Sequence, residues 1–124
     1  MAPTQSDPRQ QLRVYAELWV SFAALIRSYV AANDLARPVS KHAIVDEGEN
    51  GRLTVRAGHK ALVLEFDAAT GSGSWLAYED DPGQERALER GEFRIGEESQ
   101  VALSGRAGEL ELDVAAEIFT AKVF

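Results

Sequence analysis

Between Leu12 and Val30, nine apolar side chains repeat with the period of a helix. Placed at about 100° per residue, Leu12, Tyr15, Leu18, Trp19, Phe22, Leu25, Ile26, Tyr29 and Val30 share an arc of about 140°, and Arg9, Arg13, Glu17 and Arg27 lie opposite. Asp7-Pro8 offers an N-cap followed by proline at the first helical position, with Met1 to Ser6 as a loose end. Asn33-Asp34 and Arg37-Pro38 close the segment, because a residue before proline is pushed out of the helical region. A helix running from Asp7 to Asn33 is expected. Its single broad apolar face must be buried against a second layer that the rest of the chain supplies.

After Pro38 the period shortens to two. Lys41 to Val45 begins the alternation, Asp46 to Gly51 is an acidic turn whose Asn50-Gly51 favours a hairpin, and Arg52 to Arg56 reads as a half-buried strand. In Lys60 to Phe66, Leu62, Leu64 and Phe66 share one face while Ala61 and Val63 share the other, so both faces are apolar. Ser74 to Glu79 is the next strand. Asp81-Pro82-Gly83-Gln84 has the spacing of a helix cap, which predicts a short helix over residues 82–90 stopped by Gly91, with a hairpin into an edge strand as the alternative. Glu92 to Ile95 and Gln100 to Leu103 form a further hairpin. Leu110 to Phe124 starts with alternation and continues as helix formers, with Asp113 placed to cap. The expected fold is α+β: a long N-terminal helix on an antiparallel sheet of about five or six strands, with a C-terminal helix. At 124 residues the chain is read as one domain, residues 1–124.

The apolar pair Ala61 and Val63 raises a packing problem, since the long helix covers only one face of the sheet. Either the C-terminal helix covers the second face or a two-fold copy of the chain does, so a homodimer is one expectation.

The absence of cysteine excludes disulfides, thiolate metal sites and thiol nucleophiles, and fits a reducing cytoplasm. Val14 to Val30 is apolar but interrupted by Glu17 and Arg27, which favours a core helix over a signal sequence or membrane span. Net charge is −7 and unevenly spread: residues 1–62 carry 8 basic and 6 acidic side chains, and residues 63–124 carry 5 and 14. Such a chain repels nucleic acid and anionic lipid. Neither is expected as a partner.

Catalytic and ligand motifs fail on spacing. Gly71-Ser72-Gly73-Ser74 lacks the lysine and following helix of a phosphate loop, and reads as a turn between strands. The carboxylates of residues 46–51 do not match an EF-hand, and three adjacent acids on an extended strand point to alternate faces. His42 and His59 have no partner at ligand spacing. Arg9, Arg13, Arg27, Arg37 and Lys41 form a basic stripe whose simplest reading is the wet side of the helix.

Size, acidity and the helix, strands, helix order resemble those of the small acidic chaperones of bacterial secretion systems, with no motif on which to assign a family. The expected function is a non-enzymatic protein–protein interaction module, whether adaptor, immunity or chaperone-like, with no cofactor or metal. Its expected contact surface is acidic: Glu79, Asp80 and Asp81, Glu97 and Glu98, and Glu109 with Glu111, converging at one edge of the sheet to dock a basic protein. The alternative is a small-ligand or catalytic domain with a pocket between sheet and long helix, lined by Trp75, Tyr78, Phe93 and His42.

Overall fold

The amphipathic stretch forms α1, Pro8–Asp34, and its Phe22, Ala23, Ile26 and Val30 are fully buried. A computed structural model describes residues 8–81 and 83–124; Met1 to Asp7, Pro82 and the side chains of Pro8, Ser40 and Asp81 lie outside the described residues, and with them the expected loose end and Asp7 cap. On length and composition α1 could cross a membrane. Here it lies against a sheet. Leu12, assigned to the apolar arc, is 48% exposed, because the burial is centred on the Phe22, Ile26, Val30 line.

Seven strands follow in simple order, each antiparallel to its sequence neighbours: β1 Ile44–Glu47, β2 Arg52–Ala57, β3 Lys60–Asp67, β4 Ser72–Asp81, β5 Gln84–Ile95, β6 Gln100–Leu103 and β7 Leu110–Glu111. The expected α+β architecture is present, with seven strands in place of five or six. The Asn50-Gly51 hairpin is present, both residues in the left-handed region at φ 59° and 75°. Gly71 takes φ 72° in the connection from β3 to β4, where its amide donates to the Asp67 carbonyl at 2.9 Å. That stretch is a turn, as its spacing implied.

Residues 84–90 are strand and not helix. They pair with β4 from Asp81↔Gln84 to Leu76↔Arg90, across a bulge at Ala77/Tyr78 that accommodates Leu88. The long ladder supplies backbone partners that outweigh the helix propensity of Glu85 to Arg90. Only Phe93 to Ile95 pair with β6, so residues 84–91 form a hairpin arm at the sheet edge, which is the alternative the sequence offered. The C-terminal segment opens as the two-residue β7 and continues as α2, Leu112–Ala121. Asp113 does not cap it: the N-cap position is Glu111, and the Asp113 carboxylate instead accepts from the Val114 amide at 2.9 Å.

α2 lies beside α1 on the same side of the sheet. Phe22 of α1 meets Phe119 of α2 edge-on at 5.9 Å, and Phe93 of β5 lies 6.2 Å from the first ring and 5.6 Å from the second. Phe66 stacks on Phe93 at 6.1 Å and Trp19 on Phe66 at 5.2 Å, extending the cluster toward the start of α1. Leu53, Val55, Leu62, Leu64, Ile95 and Val101 complete this interior. The expectation that the C-terminal helix covers the second sheet face fails, since both helices occupy the first.

Candidate interaction surface

Residues paired across an antiparallel ladder share a face, so the register identifies what the helices leave uncovered. Leu53, Leu64 and Trp75 lie in one inward row, and Phe66, Gly73 and Phe93 in another. The rows between them face outward. One runs Ile44, Arg56, Ala61, Tyr78, Ala87 from β1 to β5, the next runs Asp46, Thr54, Val63, Leu76, Arg90, and the third runs Arg52, Glu65, Ser74, Glu92 from β2 to β5. In the first two rows the β3 and β4 positions, Ala61, Tyr78, Val63 and Leu76, are apolar or aromatic, and the third row is polar throughout.

Side chains standing on these rows enclose an open trough of about 880 Å3. Val63, Leu76 and Tyr78 form its floor, and Arg52, Arg56 and Arg90 face Glu65, Glu85 and Glu92 around it. A second hollow of about 530 Å3, sharing Glu65, Ser74 and Glu92, continues the trough toward Arg94 and Asp67. Ile44, 65% exposed, prolongs the apolar row at the β1 edge. The only side-chain pairing that touches the upper rim is Arg56 to Asp80 at 3.8 Å among the described residues, a half-exposed pair of little weight.

The pocket expected between sheet and helix is filled by the aromatic cluster. Its four residues are also not together: Trp75 and Phe93 point inward, Tyr78 points outward, and His42 is exposed, bonded through Nε2 to the Arg37 carbonyl at 3.1 Å. Both histidines are exposed, and the described residues contain no group of three or more His, Asp or Glu arranged to hold a metal ion.

The acidic residues form two groups. Glu79, Asp80 and Asp81 end β4, whereas Glu97 and Glu98 occupy the turn after β5, about 40 Å of strand contour away at about 3.3 Å per residue over the 12 residues of β5. Glu79 is engaged by Arg86 at 2.7 Å. Glu111 pairs with Gln100 across β6 and β7, beside the Glu97-Glu98 turn, and Glu109 leads into the same edge strand. Glu97, Glu98, Glu109 and Glu111 form no ion pair among the described residues. The basic stripe is largely spent internally: Arg13 reaches Glu17 at 3.4 Å, Arg27 reaches Glu47 at 3.0 Å, and the Arg37 guanidinium lies 4.8 Å over the Phe124 ring.

The sequence announced the second apolar face through Ala61 and Val63. The ring of arginines and glutamates around it was not announced, because it depends on the β4–β5 register. Comparison with known proteins finds no matching family model, curated protein or solved structure.

Proposed function

We propose that this chain is a non-enzymatic protein–protein interaction module whose working surface is the outer face of the sheet. The observation that carries the reading is that both helices pack on one face, leaving the Val63, Leu76, Tyr78 floor of the trough uncovered by any element among the described residues. An apolar floor with charged flanks has the anatomy of an interface core and rim. Glu97, Glu98, Glu109 and Glu111, which form no ion pair among the described residues, make a separate acidic edge suited to a basic protein, at the end of the sheet where β7 is only two residues long.

A photo-crosslinking side chain in place of Ser74, which stands in the trough, tests the reading in extracts of the cell that makes the protein. Capture of a protein that is abolished by Leu76→Arg supports it. No protein adduct from position 74, or capture indifferent to Leu76→Arg, overturns it.

A further inference from the structure

We infer that the occupant of the trough is a second copy of this chain, the two outer faces packed together about a two-fold axis that runs along the strands between β3 and β4. The inference rests on the reading of this face as an interaction surface. It adds the identity of the partner and the geometry of contact.

Charge is the first argument. The whole chain is −7, yet the charged residues around the trough are three arginines and three glutamates. A trough whose own lining is neutral within a strongly acidic molecule, with Asp46 and Asp80 lying outside it, is where two like-charged copies can meet, whereas a basic partner is drawn to the acidic edge instead.

Register is the second. Rotation about the stated axis exchanges β3 with β4 and β2 with β5 while keeping each residue at its own height along the strands. Ala61 and Tyr78 are level, as are Val63 and Leu76, and Arg52, Glu65, Ser74 and Glu92 share one level. The rotation therefore sets Tyr78 over Ala61 of the second copy, Leu76 over Val63, and Arg52 over Glu92. Large meets small, apolar meets apolar, and positive meets negative, each twice by symmetry. The other in-plane axis, across the strands at the Val63 and Leu76 level, would set Arg56 over Arg52 and Tyr78 over Ser74. The like charges exclude it. Aligned face-to-face packing is the ordinary arrangement of two twisted sheets.

Area is the third. Five strands about 4.8 Å apart, contributing on average about seven of their residues at about 3.3 Å, offer roughly 550 Å2 per copy, and so roughly 1,100 Å2 in total, just below the range of specific stable interfaces. An interface of that size fits a weak dimer, sought in the micromolar range.

Sedimentation equilibrium through the micromolar range tests this on the full chain. The wild type should approach the mass of two chains. Leu76→Arg should weaken association about thirtyfold or more, as loss of an interface hot spot does. At physiological salt, where the net charge of the chain is screened, Arg52→Glu and Glu92→Arg should each weaken it, and the double variant, whose net charge equals that of the wild type, should restore it, since the two exchanged charges would again face each other with opposite sign across the axis. Within one chain these positions are separated by β3 and β4, so the rescue reports only on contact between copies. A wild type monomeric throughout the range overturns self-docking. Capture of a different protein from position 74 would then leave the interaction reading standing. A dimer indifferent to Leu76→Arg, or a double charge reversal that fails to rescue, overturns the proposed geometry.

Discussion

Asp34 and Ala43 are tied by a single carboxylate: the Ala43 amide donates to Oδ1 at 3.0 Å and to Oδ2 at 2.9 Å. Asp34 is the last residue of α1 and only 8% exposed, and Ala43 immediately precedes β1. The bond thus fixes where the chain leaves the helix layer and enters the sheet. Asp34→Ala should lower stability by about 1–3 kcal/mol, because it leaves a half-buried amide without its charged acceptor, while Asp34→Asn keeps an acceptor oxygen and loses less. Chemical denaturation measures both. An Asp34→Ala midpoint equal to wild type would show that the tether contributes nothing.

Gly91 is set by the indole opposite it. It pairs with Trp75 across β4 and β5, and a Cβ at this position would stand 2.8 Å from the indole Nε1 and 2.9 Å from Cε2 and Cζ2. The ring has little room to move: Phe119 meets it edge-on at 5.8 Å, and the Lys122 ammonium, paired with Glu89 at 3.0 Å, sits 4.4 Å from its centroid. Gly91→Ala should therefore cost about 1–3 kcal/mol by overpacking and change the Trp75 fluorescence. Unchanged stability and emission would contradict the close approach.

How far the sequence carries depends on whether a signal is local. The α1 face was legible from its period, and the hairpin at Asn50-Gly51 from its two left-handed residues, since both are written in adjacent positions. Residues 84–90 stayed open between helix and edge strand for the same reason: Asp81-Pro82-Gly83-Gln84 and the run after it look helical locally, and only pairing with β4 makes them strand. All seven residues from Gln84 to Arg90 are exposed, so no alternation betrays the strand. The side on which α2 packs is a tertiary fact. Without it the second sheet face could be recognised as apolar but not as open, and the acidic clusters could be named but not found at opposite ends of β5.

Tyr29 gives the fold a pH signature. Burial first, and then the carboxylates of Glu117 and Asp113 on α2, push its phenol above the ordinary tyrosine range. The folded chain then holds this proton to higher pH than the unfolded chain does. Stability linked to Tyr29 is full below the unfolded value and is lost as pH rises through the raised one. In a Tyr15→Phe, Tyr78→Phe background, Tyr29 is the one remaining tyrosine, and its absorbance titration isolates the shift. Glu117→Gln should bring the ionisation down part of the way. A Tyr29 that titrates like a free phenol in the folded chain would refute the assignment.

Self-docking and capture of a basic protein respond to salt in opposite directions. Two chains of −7 with centres about 25 Å apart repel by something of the order of 8 kcal/mol in unscreened water. Most of that disappears as the Debye length falls from about 30 Å at 0.01 M salt to about 8 Å at 0.15 M. The Arg52 and Glu92 contacts also weaken with salt, but rim pairs are worth only about 0–1 kcal/mol each. Screening of the net charge therefore dominates, and the dimer should tighten on going from low to physiological salt. A basic protein held by Glu97, Glu98, Glu109 and Glu111 should instead bind more weakly. Replacing Glu97 and Glu98 by lysine changes each position by two charges and takes the chain from −7 to −3, at exposed turn positions that do not line the trough. At low salt this variant should dimerise more tightly than wild type with its thermal midpoint unchanged, and lose attraction for a basic partner. Sedimentation at the two salt concentrations reads the first effect directly. A dimer that loosens with salt, or that ignores the Glu97 and Glu98 reversals at low salt, would mean that the copies meet through a charged surface and not through the neutral trough.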